Sequence, residues 1–185
     1  MASTAYSTDN AAFTERAHET ARTELYPALF GTQQLSFEST LLATSDRNRI
    51  LDGEMAVDRI VKVTVRDLHA PLSFTVQERF RKLSYAKYKD LTITEFNHSS
   101  RLPSELYKMT CGLFLYGYFN EQQNSFAEAI AISVPDLLLK VARGDIEFSA
   151  KRNPRSNQTF FCFTFAALKA ADTVRFHYAN PRLFA

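Results

Sequence analysis

Residues Val57–Lys82, VDRIVKVTVRDLHAPLSFTVQERFRK, form the stretch on which the predicted fold depends. Apolar and polar side chains alternate along Val57–Val65 and again along Leu72–Phe80, which is the period of a β-strand with one buried face. Between them, Arg66–Pro71 has the polar residues and the proline of a turn. The sequence therefore predicts a β-hairpin, and the other elements are placed around it.

The register of this hairpin is predicted from the match between the faces of its two strands. With Val57 opposite Phe80 and Val61 opposite Val76, every valine on the apolar face of the first strand meets an apolar residue of the second. A slip of one residue would exchange the buried and exposed faces and destroy this match. We therefore expect one apolar and one polar face.

Charged residues occupy both faces of the predicted hairpin. On the apolar face Arg59 stands opposite Glu78, and this opposite-charge pair predicts a structural role for Glu78. On the polar face Asp58 stands opposite Arg79, with Gln77 beside them. The sequence thus predicts a polar cluster of Asp58, Gln77 and Arg79 at one end of the hairpin. The alternative is an exposed Asp58–Arg79 ion pair without function, worth at most about 1 kcal/mol.

The remaining elements are predicted from apolar periodicity along the chain. A helix is expected over 11–30, and further helical segments over Ser36–Thr44 and Ser125–Gly144, the last with a break and a fresh start at Pro135. Four more strands are predicted: Leu91–Phe96, Leu113–Phe119, Asp145–Ala150 and Gln158–Leu168. These elements indicate one α/β or α+β domain over 10–185, with a mixed central β-sheet flanked by helices, behind a flexible N-terminus over 1–9.

Composition is that of a globular protein of one domain. The 185 residues are 45% hydrophobic and 23% charged, and the net charge of +2 neither favours nor excludes a nucleic-acid partner. Cys111 and Cys162 lie far apart and the four histidines are scattered, so we expect two buried, reduced thiols and no zinc site. The sequence has no signal peptide and no apolar run of membrane-spanning length, which predicts a cytoplasmic protein without a membrane partner.

The hairpin resembles a motif of the PD-(D/E)XK nuclease superfamily, which has the restriction-endonuclease-like fold. In that family an acidic residue at the start of one strand is followed, on the next strand, by an acid or Gln, any residue, and Lys. The resembling residues are Val57–Val61 and Val76–Lys82. The resemblance implies a mixed sheet flanked by helices and divalent-metal-dependent hydrolysis of phosphodiester bonds. It also implies that Asp58 and Gln77 bind the metal and that Arg79 replaces the usual Lys.

Two departures from the family pattern affect the expected chemistry. Arg79 stays protonated and cannot act as a general base, but it can hold a phosphate or stabilise developing charge. Gln77 leaves the site short of the carboxylate oxygens that Mg²⁺ or Mn²⁺ prefers. We therefore expect catalysis to involve Asp58, Gln77 and Arg79, and the metal to be bound by Asp58, Gln77 and Glu54. Three further carboxylates are alternative ligands: Glu38, Asp52 and Glu95.

The residues that follow this cluster alternate cations with aromatic rings. Arg79–Lys89, RFRKLSYAKYK, predicts contacts with a phosphate backbone and a tyrosine stacked on a base. The four cations expected to bind nucleic acid are Arg81, Lys82, Lys87 and Lys89. The alternative is a solvated strand end whose aromatic rings reach the core. A second basic stretch, Lys151–Asn157, is predicted to be a plain surface turn rather than a loop that reads DNA.

Three functions are consistent with this sequence. The first is a Mg²⁺- or Mn²⁺-dependent endonuclease that hydrolyses phosphodiester bonds in DNA, with RNA left open as a substrate. The second is a catalytically inactive nucleic-acid-binding or assembly protein on the same scaffold. The third is a small interaction protein whose polar face meets solvent. Members of the nuclease superfamily that cut both strands are often dimers, so a homodimer is also left open.

Overall fold

The computed structural model describes residues 8–31, 33–40 and 50–180, and a large mixed sheet contains the predicted hairpin. Its six strands are β1 (Gln34–Ser39), β2 (Arg59–Thr64), β3 (Leu72–Lys82), β6 (Leu113–Asn120), β7 (Ser125–Ser133) and β10 (Val174–Ala179). They lie in the order β1-β2-β3-β6-β7-β10. β3 and β6 run parallel, whereas the other neighbouring strands run antiparallel. The fold is α+β with a mixed sheet, as predicted.

A second sheet is built partly from the connection between β3 and β6. Its four strands are β4 (Asp90–Asn97), β5 (Leu102–Pro103), β8 (Ser149–Asn153) and β9 (Gln158–Thr164). They lie in the order β5-β4-β9-β8. β4 and β5 belong to that connection, whereas β8 and β9 form an antiparallel hairpin from further along the chain. The sequence did not predict this sheet, because the pairing of β4 with β9 joins distant segments.

Helices pack on the large sheet and fill the connections. α1 (Thr8–Phe30) buries Ala17, Ala21 and Leu25 against the sheet, so the predicted apolar stripe is confirmed. The other helical segments are α2 (Glu105–Lys108), α3 (Val134–Arg143), α4 (Phe165–Ala170), a π-helical turn (Ile50–Glu54) and a 3₁₀-helix (Leu83–Tyr88). The flexible N-terminus predicted over 1–9 lies outside the described ranges, except that its last two residues belong to α1. Across those ranges, no helix combines the length and apolarity needed to span a membrane.

The predicted helix over Ser36–Thr44 is wrong where the structure describes it. Residues 36–39 belong to β1, which pairs antiparallel with β2 at the edge of the large sheet. Residues 41–44 of the prediction lie outside the described residues. The segment is too short for its apolar residues to establish a period, so its pairing with β2 decides its conformation.

The predicted helix over Ser125–Gly144 is a strand in its first half. β7 runs as far as Ser133, and α3 begins at Val134 with Pro135 in its first turn. β7 lies between β6 and β10 and is almost entirely buried. A strand buried on both faces lacks the alternation of polar and apolar residues, which is why periodicity did not identify it.

The last predicted hairpin forms, but with different limits. The strand expected over Gln158–Leu168 ends at Thr164, whose hydroxyl accepts a hydrogen bond from Ala167 N at 3.0 Å and caps α4. The partner strand expected over Asp145–Ala150 begins only at Ser149. The predicted pairing of the two segments is confirmed.

The central hairpin forms, but its register is shifted by two residues from the prediction. Arg59 pairs with Val76, and Val61 with Phe74. A shift by two residues keeps every side chain on its predicted face, because side chains alternate with a period of two. Arg59 and Glu78 therefore still meet, diagonally across the two strands.

Apolar clusters cover both faces of the large sheet. Along β6, Phe114, Tyr116 and Tyr118 belong to a cluster shared with the small sheet, whereas Leu115 and Phe119 belong to the cluster beneath α1. β6 is therefore buried on both faces. The small sheet packs on one side of the large sheet and α1 packs on the other.

The two cysteines are buried free thiols, as predicted. Burial raises the pKa of Cys111 to about 12 and also raises the pKa of Cys162. Both thiols therefore stay protonated near neutral pH.

Candidate functional site

A buried carboxylate, Glu78, gathers charged and polar residues on the α1 side of the hairpin. It accepts hydrogen bonds from Tyr26 Oη at 2.5 Å and from Arg59 Nε at 3.0 and 3.1 Å, and His18 Nδ1 lies 2.5 Å from its Oε2. Burial alone would raise the pKa of Glu78, but the hydrogen bond with His18 and the charge of Arg59 hold it below its usual value. The predicted contact between Arg59 and Glu78 is confirmed.

Asp58, the acid expected to bind a metal, is buried beside this group. Its Oδ2 accepts a hydrogen bond from the backbone N–H of Glu78 at 2.7 Å. Burial raises the pKa of Asp58 to about 7; the Glu78 N–H opposes this rise and the Glu78 carboxylate adds to it. Just before the first residue of β2, Asp58 N donates a hydrogen bond to Val76 O at 3.0 Å. The alternative of an exposed Asp58–Arg79 ion pair is wrong, because Asp58 is buried and Arg79 pairs with Glu105.

Gln77 and Arg79 converge on Glu105, a carboxylate that the sequence did not indicate. Glu105 Oε2 lies 2.6 Å from Arg79 Nη2 and accepts a hydrogen bond from Thr94 N at 3.1 Å, while its Oε1 accepts one from Gln77 Nε2 at 3.3 Å. Arg79 Nη1 also donates to Thr92 O at 3.2 Å. Within the described residues, Gln77 Oε1 is buried without a hydrogen-bond partner. Glu105 begins α2, and no local motif connects that position with the hairpin.

The residues around Gln77 do not fit a divalent cation as they stand. Gln77 Oε1 is a suitable oxygen ligand for Mg²⁺ or Mn²⁺. However, Arg79 neutralises the charge of Glu105, and one oxygen of Asp58 is bound to the Glu78 amide. Over the ranges that the structure describes, no group of three or more His, Cys, Asp or Glu side chains could hold a metal ion.

The other carboxylates expected as metal ligands have separate surroundings. Glu54 is exposed at the end of the π-helical turn, and Glu38 of β1 lies beside a lysine of β2. Glu95 Oε1 accepts a hydrogen bond from Tyr107 Oη at 2.8 Å. Burial raises the pKa of Asp52. None of these four carboxylates completes a metal-binding group with Asp58 in the described part of the chain.

A cleft of about 260 Å³ lies between β3 of the large sheet and β4 and β9 of the small sheet. Its polar lining residues are Arg79, Arg81, Thr92, Thr94, Asn153, Ser156 and Gln158. Two phenylalanines, Phe80 and Phe160, complete the described lining, which contains no carboxylate. We call this the phosphate cleft, because arginine N–H groups beside hydroxyl and amide donors are the chemistry that binds a phosphate.

Arg81 is held in the phosphate cleft by long contacts. Its Nη1 lies 3.9 Å from Asp90 Oδ1 and 3.5 Å from Tyr116 Oη. Its guanidinium carbon lies 3.9 Å from the ring centre of Tyr85. A guanidinium has five N–H donors. Arg81 therefore keeps N–H donors for hydrogen bonds to an oxygen of a ligand.

The turn between β8 and β9 forms one rim of the phosphate cleft. The sequence predicted a plain surface turn over Lys151–Asn157, but the structure places it beside the two arginines of β3. Asn153 Oδ1 accepts hydrogen bonds from Arg155 N at 3.0 Å and Ser156 N at 3.5 Å, which fixes the shape of the turn. The exposed cations of the turn and of β8 are Lys151, Arg152 and Arg155.

The four cations predicted to bind nucleic acid have different surroundings. Arg81 lines the phosphate cleft. Lys87 is exposed, and its Nζ lies 5.1 Å from the ring centre of Tyr88. Lys82 and Lys89 are each paired with a carboxylate, at 3.3 and 2.5 Å. The structure thus places Arg81 in the candidate site, whereas Lys82 and Lys89 form ion pairs with carboxylates.

Comparison with known proteins identifies no relative. No protein-family model matches the chain, and neither a curated protein nor a solved structure matches it.

Proposed function

We propose that this protein binds nucleic acid by holding a phosphate group in the phosphate cleft. The observation that carries the proposal is that Arg79 and Arg81 line one cleft together with hydroxyl and amide donors and without a carboxylate among its described lining residues. An arginine can give a phosphate two parallel hydrogen bonds, and Arg79 is already oriented by Glu105. Phe160 offers an apolar surface to the sugar or base beside that phosphate.

The distribution of charge supports an anionic partner more strongly than the net charge does. The chain carries a net charge of only +2, yet Arg79 and Arg81 of the first basic stretch line the phosphate cleft beside Asn153 and Ser156 of the second, Lys151–Asn157. Their meeting depends on the pairing of β4 with β9, which brings the turn after β8 to β3. A local concentration of positive charge attracts a polyanion even when the net charge is small.

Arg81→Ala tests the proposal by removing the arginine with available donors. We expect it to weaken binding of a fluorescein-labelled oligonucleotide by roughly tenfold or more, because a hydrogen bond to a charged group contributes about 1.5–3 kcal/mol. The slope of log affinity against log salt concentration should fall by about one unit, for one lost phosphate contact. Fluorescence anisotropy at several salt concentrations measures both quantities.

Arg143→Ala is the matched control for this experiment. Arg143 is an exposed arginine in the last turn of α3 and is not among the lining residues of the phosphate cleft. We expect its removal to leave affinity and salt slope unchanged. Thermal unfolding checks that both variants are folded. The proposal is overturned if wild-type protein binds no oligonucleotide at low salt, or if Arg81→Ala matches the control.

Metal-dependent cleavage within a restriction-endonuclease-like fold stays a prediction for the neighbouring polar cluster. Its support is that Asp58 N donates a hydrogen bond to the carbonyl oxygen of Val76, the residue next to Gln77, and that Gln77 Oε1 has no hydrogen-bond partner within the described residues. If the prediction is right, the protein cuts plasmid DNA in the presence of Mg²⁺ or Mn²⁺, and Asp58→Ala abolishes cutting without unfolding the chain. Binding of DNA without cleavage under either metal would leave the binding function alone.

A further inference from the structure

Two exposed tyrosines lie on the 3₁₀-helix Leu83–Tyr88, directly after β3. Tyr85 is 41% exposed and Tyr88 is 52% exposed, so neither ring belongs to the core, a point that the sequence left open. Residues three apart eclipse in a 3₁₀-helix, and these two ring centres lie 6.5 Å apart. Buried Ala86 anchors the helix, and Lys89 N donates to Ala86 O at 3.2 Å at its end. The helix thus presents both rings on one side.

Each of these rings has a cation against it. The guanidinium carbon of Arg81 lies 3.9 Å from the ring centre of Tyr85, and Lys87 Nζ lies 5.1 Å from that of Tyr88. A nucleotide combines a flat aromatic base with an anionic phosphate. A ring with a neighbouring cation is complementary to both parts of one nucleotide, and two such pairs in succession are complementary to two nucleotides.

Arg81 connects these rings with the phosphate cleft. A second cleft, of about 290 Å³, lies between α1 and the end of β3, and its lining includes Phe13, Arg81, Lys82 and Tyr85. Arg81 also lines the phosphate cleft. A strand with a phosphate against Arg81 therefore has its adjoining bases close to the tyrosines. The two ring centres lie 6.5 Å apart with 39° between the ring planes, so each ring has its own face for a base of one continuous strand.

We infer that the bound nucleic acid is single-stranded, either DNA or RNA, and that Tyr85 and Tyr88 form a stacking platform for its bases. This inference rests on the proposed function and adds the class of nucleic acid. In a duplex each base face is covered by the neighbouring base pair, so an exposed protein ring has no face to stack on. A single strand leaves those faces open, and stacking on aromatic rings is tolerant of base sequence.

The test compares four fluorescein-labelled probes by anisotropy with the full-length protein. The probes are oligothymidylate, oligouridylate, a duplex, and an abasic strand that keeps the phosphates. Each is about 12 nucleotides long, within the range of roughly 4–16 nucleotides bound by single-strand sites. The variants are Tyr85→Ala, Tyr88→Ala and Tyr85→Phe. The matched control is Tyr107→Ala, since Tyr107 is 63% exposed and is not among the lining residues of either cleft.

We expect Tyr85→Ala and Tyr88→Ala each to weaken binding of a single strand by roughly 5- to 100-fold. Tyr85→Phe should bind as wild type does, because phenylalanine keeps the ring, and Tyr107→Ala should have no effect. Binding of the abasic strand should be weaker in wild type and insensitive to both alanine substitutions. A preference for oligothymidylate or for oligouridylate supports the inference. The first preference identifies the bound nucleic acid as DNA and the second identifies it as RNA.

The outcomes separate this inference from the proposed function. If wild-type protein binds the oligonucleotides and both alanine variants bind them equally well, the platform is wrong while phosphate binding stands. The same holds if the substitutions weaken duplex and abasic strand as much as the intact single strand. If wild-type protein binds none of the probes, the proposed function and the platform are both overturned.

Discussion

Glu78 links α1, β2 and β3 through a single buried carboxylate. It meets His18 and Tyr26 of α1 and Arg59 of β2. The sequence predicted only its cross-strand pair with Arg59, worth about 0.2–1 kcal/mol for a pair on a sheet surface. The structure buries both partners, with 3% of the Arg59 side chain exposed and none of that of Glu78. Loss of one buried partner leaves the other charge uncompensated, which is far more destabilising.

We expect Glu78→Ala to lower the free energy of unfolding by roughly 3–5 kcal/mol, because Arg59 would stay buried without its partner. Urea unfolding of variant and wild type measures the difference. The control is Glu121→Ala, which removes a partly exposed carboxylate paired with Arg16 and Lys82 and should cost less than about 1 kcal/mol. Equally small losses in both variants would contradict a structural role for the buried pair.

The raised pKa of Asp58 makes stability depend on pH. Its pKa is about 7 in the folded protein against an ordinary value of 3.8, so the folded state holds this proton more tightly than the unfolded chain does. The stability that protonated Asp58 contributes is therefore complete below pH 3.8 and is lost as the pH rises through about 7. The lowered pKa of Glu78 has the opposite effect, since its contribution is present above its unfolded value and is lost at lower pH.

Asp58→Asn isolates the contribution of this carboxyl group, because asparagine keeps an acceptor for the Glu78 amide and never ionises. Between about pH 5 and pH 8, we expect the free energy of unfolding of wild type to fall by roughly 2 kcal/mol relative to that of the variant. Glu78 is present in both proteins, so its own pH dependence largely cancels. Urea unfolding at several pH values measures the difference, and parallel pH profiles would contradict the raised pKa.

At the scale of elements, the contact between β6 and β7 depends on a glycine. A Cβ atom on Gly117 of β6 would lie 2.9 Å from Phe126 Cδ1 and 3.1 Å from Ala129 Cβ on β7. We expect Gly117→Ala to lower the free energy of unfolding by roughly 1–3 kcal/mol through overpacking. Gly53→Ala, where a Cβ would meet nothing within 4 Å, should change it by less than about 0.5 kcal/mol. Thermal or urea unfolding compares the two, and equal stabilities would show that the strands move apart freely.

The predictability of an element depended on whether one of its faces meets solvent. β2 and β3 alternate buried and more exposed residues over part of their length, so the hairpin and the faces of Arg59 and Glu78 could be predicted. β7 is buried on both sides and was predicted as a helix, because its sequence lacks the alternation of polar and apolar residues that marks a strand with one exposed face. The predicted register differs from the observed one by two residues for a related reason. A shift of two residues keeps every side chain on the same face, so the match between faces could not detect it.

At the scale of the whole molecule, Glu105 connects the two sheets. It begins α2, pairs with Arg79 and Gln77 of β3, and accepts a hydrogen bond from the Thr94 amide of β4. The same connection fixes one wall of the phosphate cleft, because Arg79 and Thr94 both line it. The contacts of Glu105 that join the two sheets therefore also position this wall of the cleft.

A double-mutant cycle of Arg79→Ala and Glu105→Ala measures this connection. The two side chains are 31% and 9% exposed, and we expect a coupling free energy of roughly 0.5–3 kcal/mol in urea unfolding. A second cycle on Lys62 and Glu38, which lie 3.8 Å apart and are 46% and 36% exposed, serves as control and should give less than about 1 kcal/mol. Additive effects at Arg79 and Glu105 would mean that the pair does not hold the sheets together.

The sequence by itself determined the features that local patterns record. Periodicity identified α1 and the central hairpin, and the paired faces of the hairpin identified the contact between Arg59 and Glu78. The spacing of the cysteines indicated two free thiols, and the run Arg79–Lys89 indicated the basic end of β3. Each of these inferences uses residues close in sequence, where the alternation of a strand or the turn of a helix decides which side chains share a face.

Only the tertiary structure decided which of these surfaces meet. The pairing of β4 with β9 brings Asn153 and Ser156 to Arg81 and makes a cleft from two basic stretches that the sequence separates. The crossover from β3 to β6 places Glu105 against Arg79. Asp58, which the sequence placed opposite Arg79, instead accepts a hydrogen bond from the Glu78 amide. Strand order and the packing of one sheet on another depend on contacts between distant segments. Many arrangements of the same elements satisfy the same local periodicity, so periodicity could not choose among them.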